Sequence, residues 1–274
     1  FTGIVVYSDI AKTGTFECSD PMINQLQSNI QWGQRGNFVD VPTDCPQRDE
    51  RLGWTGDAQA FASTAIFNFD CSAFYTKWLK DLKADQIENG AVPFVVPNVL
   101  GKRSTGSTGW ADAAVIIPWT MYLKYGDTRI LEEQYESMKQ WIKYLENLAD
   151  KDMIVRKGYH FGDWLFFIHP KDWNNKPGYT DHDLISTAFF AYSTGLVEKT
   201  ARILNKNEDA AYYKELRGKI KKAFNYEFVT PSGRISPNSQ TGYILALNFE
   251  LLDNKNIEEA ITFLIADIQK RGFH

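Results

Sequence analysis

Residues 41–57 read VPTDCPQRDERLGWTGD, and this charged stretch interrupts a chain that is otherwise rich in helical patterns. It holds four carboxylates, two arginines and a tryptophan. Pro46, Gly53 and Gly56 prevent a regular helix or strand from running through it. Apolar residues recur at helical spacing on both sides of the stretch. It is therefore predicted to be a charged loop between two helices.

Nine helices are predicted along the chain from apolar residues spaced three and four apart. Ser19, Asp20 and Pro21 mark the start of the first, because a capping side chain is followed by proline in the first turn. That helix ends near residues 33–36, and the others cover 57–69, 72–88, 110–125, 128–149, 181–205, 208–225, 239–252 and 256–271. The β-branched and apolar residues 2–10 predict one short strand, interpreted as the end of a preceding β domain.

Long connections separate several of the predicted helix pairs, at residues 37–56, 90–109, 158–180 and 226–238. Connections of this length in a compact domain are usually functional. Helix pairs that curl into a ring would gather such loops at one end of it. The fold is therefore predicted to be all-α, with an α/α toroid that carries its site at the mouth. A plain α-solenoid or helix bundle is the alternative.

Composition excludes several classes of partner. The net charge is −4 and no run of lysine or arginine occurs, so nucleic acid is not an expected partner. No apolar stretch approaches the length of a membrane span, and no glycine-rich phosphate loop or other cofactor motif is present. Cys18, Cys45 and Cys71 lie far apart, which predicts free thiols. His160 and His169 share a loop, but the four histidines do not cluster at ligand spacing, so no metal site is predicted.

The charged loop has the residue types needed to cleave a glycosidic bond. Such cleavage uses a carboxylic acid that protonates the leaving oxygen and a second carboxylate that activates water or attacks directly. Glu50 is the candidate acid, because three other carboxylates of the loop surround it and like charges raise a carboxyl pKa. The two arginines oppose that shift, so the sequence leaves the balance open. Trp54 offers an apolar face for a sugar ring, whereas a solvated loop of ion pairs capping a helix at Asp57 is the alternative.

Two further stretches pair a carboxylate with a tryptophan close after a glycine. TGWADA places Trp110 and Asp112 where a long loop meets a helix, and YHFGDWLFFIHP places Asp163 and Trp164 in another long loop. Tryptophan as a stacking surface and aspartate as a hydroxyl acceptor are typical of polyol sites. Core packing is the alternative for each tryptophan alone, but three such pairs in three loops favour a carbohydrate site.

These residues resemble glycoside hydrolase family 78, the α-L-rhamnosidases. DVPTDCPQRDERLGWTGDAQ is similar to that family's signature nearly residue for residue. QWGQRGNF before it, and GSTGWADA, FGDWL and DLISTAFFAYST after it, match in the same order. The resemblance covers almost the whole chain. It implies an (α/α)6 barrel and an inverting hydrolysis of terminal α-L-rhamnosyl groups, with an L-rhamnose-containing oligosaccharide or glycoside as the partner.

The resemblance also implies roles for individual residues. Glu50 is expected to be the general acid. The residues expected to contact the sugar are Asp44, Arg48, Trp54, Asp57, Trp110, Asp163 and Trp164. The tryptophans would line the pocket, where aromatic walls can select the methyl group of a 6-deoxy sugar. No cofactor and no metal ion are implied.

The resemblance further predicts that part of the catalytic domain lies beyond residue 274. In this family the general base is a second glutamate in a loop after the ninth helix, and the terminal KRGFH precedes that point. We therefore expect residues 1–15 to end an upstream β region or linker. Residues 16–274 are expected to form the N-terminal part of the catalytic domain, with about nine of the family's twelve helices, and to be inactive or nearly so alone. The alternative is a non-catalytic carbohydrate-binding or scaffold domain of the same fold.

Overall fold

The computed structural model describes residues 1–166 and 180–272, and nine α-helices lie within these ranges. Their bounds are α1 Pro21–Asn37, α2 Thr55–Asn68, α3 Ser72–Asp85, α4 Ala113–Tyr125, α5 Arg129–Leu148, α6 His182–Ile203, α7 Asn207–Phe228, α8 Gln240–Asn248 and α9 Ile257–Lys270. Each coincides with one of the predicted helices, so the all-α class is confirmed. In the described ranges, no helix combines the length and the apolar character that crossing a membrane requires.

Capping residues start two of the helices. The carboxylate of Asp20 accepts a hydrogen bond from the Met22 N–H at 2.8 Å at the start of α1. The hydroxyl of Ser239 accepts one from the Gly242 N–H at 3.1 Å at the start of α8. Each cap satisfies a backbone N–H that has no partner inside the helix, and this places the helix start at that residue.

Six of the nine helices in the described ranges are shorter than predicted, and the reason is clear for α4 and α8. α4 begins at Ala113 rather than at residue 110, because the Ala113 N–H donates to the Trp110 carbonyl and closes a turn before the helix. α8 ends at Asn248 rather than at residue 252, and Glu250 soon after it adopts a left-handed backbone with φ 57°. The spacing of apolar residues does not record such turns, which explains both differences.

The predicted strand at residues 2–10 is wrong. These residues belong to no strand, and the side chains of Ile4, Val5 and Val6 are largely exposed. A strand needs a neighbouring backbone that takes a row of its hydrogen bonds, whereas here the Ser8 N–H bond to the Phe38 carbonyl at 2.9 Å and the isolated bridge between Lys12 and Phe69 do not extend into a ladder. The β-branched composition therefore indicates propensity alone. The preceding β domain stays a prediction.

A short hairpin leads from α1 into the charged loop. Strand β1 (Phe38–Val39) pairs antiparallel with strand β2 (Val41–Pro42) and turns at Asp40, whose φ is 68°. The buried ring of Phe38 stacks on Phe74 of α3, with 4.4 Å between ring centroids. This stacking anchors the beginning of the loop to the core.

The chain divides into two compact units, residues 1–106 with 110–141 and residues 107–109 with 142–274. In the first unit α2 packs against α4. Ala58, Ala62 and Ala65 are buried on α2, and such small side chains let two helix backbones approach closely. The alanine spacing in the sequence predicts this close contact.

Helix α6 is the central helix of the second unit and packs along α7. Buried positions on α6 run from Leu184 to Ala201 and include consecutive residues, so they occupy more than one face of the helix. Gly195 faces Arg217 of α7, whose Nε lies 2.9 Å from the place where a Cβ would stand. A larger residue at this position would require the Arg217 side chain to shift.

Helices α5 and α7 end in the same kind of turn. After each helix an isolated bridge joins two residues six positions apart. The bridges are Ala149 to Val155 and Val229 to Ile235. Each turn contains one left-handed residue, Met153 at φ 66° and Gly233 at φ 76°. The second unit thus uses one turn geometry twice.

Candidate functional site

The charged loop is held closed by hydrogen bonds between its two ends. The Asp44 N–H donates to the Leu52 carbonyl at 3.1 Å, and the Leu52 N–H donates to the Asp44 carboxylate at 2.9 Å. The Asp44 side chain is only 6% exposed. Arg51 has a left-handed backbone, with φ 50°, and its Nε donates to the Pro46 carbonyl at 3.2 Å. These contacts fix the path of residues 44–52.

Arg48 joins two of the loop's carboxylates. Its Nε and Nη2 donate to Oε2 of Glu50 at 3.0 and 2.8 Å. Its Nη2 also reaches Oδ2 of Asp44 at 3.4 Å. The hydrogen bond to Glu50 is the main cause that raises the pKa of the Arg48 guanidinium above its usual value. One positive charge therefore holds both carboxylates in place.

The candidate acid Glu50 is partly exposed, and its neighbour is Arg48. A third of its side chain, 34%, is accessible to solvent. The sequence left open whether carboxylates or arginines govern this residue, and the structure places an arginine in direct contact. Because Arg48 occupies Oε2, donation of a proton from that oxygen requires Arg48 to release it.

Asp57 is a carboxyl of the loop whose pKa is raised. It lies in the first turn of α2. Desolvation of its carboxyl is the largest cause, although the residue is open to solvent on one side, and the charges of Asp44 and Glu50 raise the pKa further. A hydrogen bond from its own backbone and the charge of Arg48 act in the opposite direction. The negative charges of Asp44 and Glu50 thus act on Asp57.

A cavity of about 410 Å³ lies beside the loop and is lined by residues of α1 and α2. Asp44 and Asp57 line it together with the aromatic rings of Phe38 and Phe61. Pockets for small ligands have volumes of about 300–1,000 Å³, and the volume of this cavity lies in that range. Among the described residues, Glu50 is not part of the lining.

Two of the predicted tryptophans lie at the first turn of α2. Trp54 is the residue immediately before the helix and forms an isolated bridge with Val95. The indole of Trp110 lies against Gly56, with ring atoms 2.6–2.7 Å from the place where a Cβ would stand. Both tryptophans and Asp57 are therefore grouped around one helix turn in the first unit.

Asp163 and Trp164 belong to the second unit. The Asp163 carboxylate accepts hydrogen bonds from the hydroxyls of Thr180 at 3.2 Å and Thr241 at 2.8 Å. Trp164 is 55% exposed and packs edge-on against Phe161, with 5.6 Å between ring centroids. The hydroxyls of Thr180 and Thr241, which belong to the second unit as well, thus fix the Asp163 carboxylate. His169 lies outside the described residues.

Sequence reasoning missed a buried network in the second unit. The Thr108 N–H donates to Nδ1 of His160 at 3.1 Å, and Nε2 of His160 lies 3.0 Å from the Lys157 carbonyl. The Thr108 hydroxyl donates to the Ser186 hydroxyl of α6 at 2.9 Å. This network fixes residues 107–109 against α6. The sign of this network in the sequence is Thr108, the hydroxyl residue that precedes the glycine of TGW.

One group of side chains has the composition of a metal site. Ligand atoms of Asp44, Cys45 and Glu50 lie within 4.8 Å of one another. The Arg48 guanidinium already contacts both carboxylates and supplies the positive charge that a cation would bring. Cys45 is a buried free thiol, and the other two cysteines are also free, as predicted.

Comparison with known proteins gives consistent matches over nearly the whole chain. Residues 11–274 match the family model described as bacterial alpha-L-rhamnosidase 6 hairpin glycosidase domain. An alpha-L-rhamnosidase of Formosa agariphila is 46% identical over 274 residues, which are 99% of this chain and 29% of that protein. The Streptomyces avermitilis alpha-L-rhamnosidase complexed with L-rhamnose matches with a TM-score of 0.87 and 40% identity, over 97% of this chain and 24% of that chain.

A third relative gives the same result. The alpha-L-rhamnosidase structure from Dictyoglumus thermophilum matches with a TM-score of 0.87 and 38% identity, over 99% of this chain and 30% of that chain. The chain therefore spans less than a third of the length of these three relatives. Family model, sequence identity and fold agree over the same residues, and the chain belongs to the bacterial α-L-rhamnosidase six-hairpin glycosidase family.

Proposed function

We propose that the full-length protein hydrolyses terminal, non-reducing α-L-rhamnose residues from L-rhamnose-containing oligosaccharides or glycosides. Relatives with 41–46% identity are named alpha-L-rhamnosidase, and one structural neighbour is complexed with L-rhamnose. The observation that carries the proposal is the charge cluster of Asp44, Arg48, Glu50 and Asp57, since two of its carboxylates line a cavity of small-ligand size.

In the proposed mechanism Glu50 is the general acid. Its carboxyl proton passes to the glycosidic oxygen while the bond from that oxygen to the sugar breaks, and the aglycone leaves as an alcohol. A glutamate beyond residue 274 takes a proton from water, which attacks the opposite face of the sugar and inverts its configuration. The Arg48 contact with Glu50 must open before this step. Hydroxyls of the bound sugar would take over the hydrogen bonds of the guanidinium.

The proposed sugar contacts divide by chemistry. Asp44 and Asp57 line the cavity and accept hydrogen bonds from sugar hydroxyls, while Arg48 donates to them. Trp54 and Trp110 provide apolar walls for the methyl group of the 6-deoxy ring. Asp163 and Trp164 remain proposed sugar contacts on the family resemblance alone.

The role of Glu50 is tested by Glu50→Gln in the full-length protein, with Asp49→Asn as a matched control. Asp49 is an exposed carboxylate next to Glu50 and outside the charge cluster. General acid catalysis contributes about 10²–10⁴-fold, so we expect a loss of that size in kcat for rhamnosides with poor leaving groups and a smaller loss for nitrophenyl rhamnoside. Proton NMR of the first product anomer reports inversion. Full activity of Glu50→Gln on both substrates would contradict the acid assignment.

A non-catalytic carbohydrate-binding domain is the second candidate, and one observation favours it. Arg48 occupies the Glu50 carboxylate, whereas the cavity is lined by Asp44 and Asp57. Calorimetry with L-rhamnose separates the two candidates, because binding of L-rhamnose by a full-length protein that cleaves no rhamnoside supports the binding domain. For the 274-residue chain alone we expect little or no hydrolysis, because the proposed general base lies outside it.

A further inference from the structure

We infer that Gly56 is a positioning residue for the Trp110 wall of the sugar site. Without a Cβ at position 56, the indole of Trp110 lies directly on the first turn of α2, one residue from Asp57. This inference rests on the proposed function, because it assigns to Gly56 the task of holding a proposed sugar contact.

The close approach of the two residues excludes any larger side chain at position 56. A Cβ there would stand 2.6 Å from Nε1 and 2.7 Å from both Cδ1 and Cγ of Trp110. Carbon atoms in contact are about 3.5–4.0 Å apart. The indole would therefore have to move by roughly 1 Å to accept a methyl group. A rigid two-ring side chain cannot bend away as a flexible chain end can.

The α2 side of the contact cannot withdraw. Thr55 is fully buried, and its N–H and hydroxyl both donate to the Phe94 carbonyl, at 2.9 and 3.0 Å. Next to it, the bridge of Trp54 with Val95 ties the same turn to the same neighbouring segment. The start of α2 is thus fixed at the two residues that precede Gly56.

The backbone of Trp110 is fixed as well. Its carbonyl accepts the Ala113 N–H at 3.1 Å, and Ala111 next to it is fully buried. The carboxylate of the fully buried Asp112 accepts a hydrogen bond from the indole Nε1 of Trp141 at 2.9 Å. Since neither backbone can give way, a methyl group at position 56 rotates the Trp110 ring out of its place.

Displacement of the Trp110 ring moves a proposed wall of the sugar site. A misplacement of about 1 Å in a substrate-positioning group can cost about 100-fold in rate. Gly56 itself touches no reacting atom, so its effect on catalysis passes through Trp110. This distinguishes it from the residues that contact the sugar.

The experiment compares Gly56→Ala with Gly218→Ala in the full-length protein. Gly218 is exposed on α7, and a Cβ there meets no atom within 4 Å, so both changes add one methyl group to a helix. We expect Gly56→Ala to lower kcat/KM for nitrophenyl rhamnoside at least tenfold and to weaken inhibition by L-rhamnose, whereas Gly218→Ala leaves both unchanged. Wild-type kinetics of Gly56→Ala would overturn the inference.

A second arm shows that the effect passes through Trp110. In a Trp110→Ala background, Gly56→Ala should cause no further loss of activity, and an additional tenfold loss would overturn the inference. The thermal midpoints of the wild type, Gly56→Ala, Trp110→Ala and the double variant test the contact between position 56 and Trp110 without any substrate. We expect Gly56→Ala to lower the midpoint when Trp110 is present and to leave it unchanged or raised when Trp110 is absent.

Failure of the inference and failure of the proposed function give different results. A wild-type protein that cleaves no rhamnoside refutes the proposed function. The thermal midpoints alone then test whether Trp110 packs on Gly56. If Gly56→Ala changed the thermal midpoint equally with and without Trp110, the packing of Trp110 on Gly56 would be refuted.

Discussion

His160 is held in its neutral form by two hydrogen bonds of opposite direction. The Thr108 N–H donates to Nδ1 at 3.1 Å, so Nε2 carries the proton and faces the Lys157 carbonyl at 3.0 Å. Protonation of Nδ1 would place its N–H against the Thr108 N–H, so that two donors would face each other. Burial lowers the pKa of His160, the hydrogen bond to Lys157 opposes this, and nearby His182 lowers the pKa further.

Acid is therefore expected to destabilise the fold through this residue. Because the folded pKa lies below the ordinary value of 6.5, neutral His160 contributes stability that is present above about pH 6.5 and is lost as the pH falls towards the folded pKa. We expect the denaturant midpoint to fall between about pH 7.5 and 5 more steeply in the wild type than in His160→Gln. Glutamine can make both hydrogen bonds without titrating.

The control for this measurement is His182→Gln. His182 is the neighbour with the smallest of the named effects on the pKa of His160, and its removal should leave most of the steeper slope in place. Equal slopes in the wild type and in His160→Gln would refute a destabilising protonation of His160.

Much of the candidate site is predictable from sequence because its residues lie in one short loop. Asp44, Arg48 and Glu50 are neighbours in the chain and also in space. The pairing of Arg48 with Glu50 and the raised pKa of Asp57 are not predictable, because both depend on distances of a few ångströms and on burial. The hydroxyls that hold Asp163 come from residues far along the chain, and spacing gives no sign of them.

The turn that follows α5 is repeated after α7, and the left-handed position of each turn holds a different residue. Met153 occupies one of them at φ 66°, and Gly233 occupies the other at φ 76°. A Cβ at position 233 would stand 2.6 Å from Cβ of Glu259 on α9. Gly233 is therefore required by both its backbone angle and its neighbour.

We expect Gly233→Ala to destabilise the protein more than Gly126→Ala. Gly126 ends α4 at φ 68°, and a Cβ there meets no atom within 4 Å. A left-handed backbone costs an L-residue about 1–2 kcal/mol, so both variants lose that amount. The clash with Glu259 adds at least about 1 kcal/mol at position 233. Urea unfolding measures the difference, and equal losses would contradict the clash.

The prediction of elements succeeds where a local signal exists. The cap Asp20 gives the start of α1 because the capping side chain lies within the helix start itself. The wrong strand at residues 2–10 shows the limit, since β propensity has no effect without a partner strand. The hairpin around Asp40 is too short for its pattern to be recognised.

For the whole molecule, apolar residues on the surface predict poor solubility of the 274-residue chain. Met22 and Leu26 on α1 are 80% and 56% exposed. Ile261 and Ile265 on α9 are 41% and 49% exposed. Exposed apolar patches of this kind promote association. We expect the isolated chain to self-associate with rising concentration, as measured by sedimentation velocity.

Substitution of the α1 pair tests this expectation. Met22→Gln with Leu26→Gln should lower the mean sedimentation coefficient at high concentration. The control pair, Gln25→Asn with Asn29→Gln, lies on the same helix and is already polar and exposed. A monomeric wild-type chain at every concentration would refute the expectation.

Helix α6 has a consequence for how this sequence can change over time. Buried residues occupy most positions from Leu184 to Ala201 and leave little of the helix circumference free of neighbours. A replacement there must be matched by a compensating replacement in a contacting helix, whereas α7 has an exposed side that can drift one residue at a time. Natural variants should therefore alter α6 in coupled pairs, and DLISTAFFAYST, which lies in this helix, should be among the slowest segments to diverge.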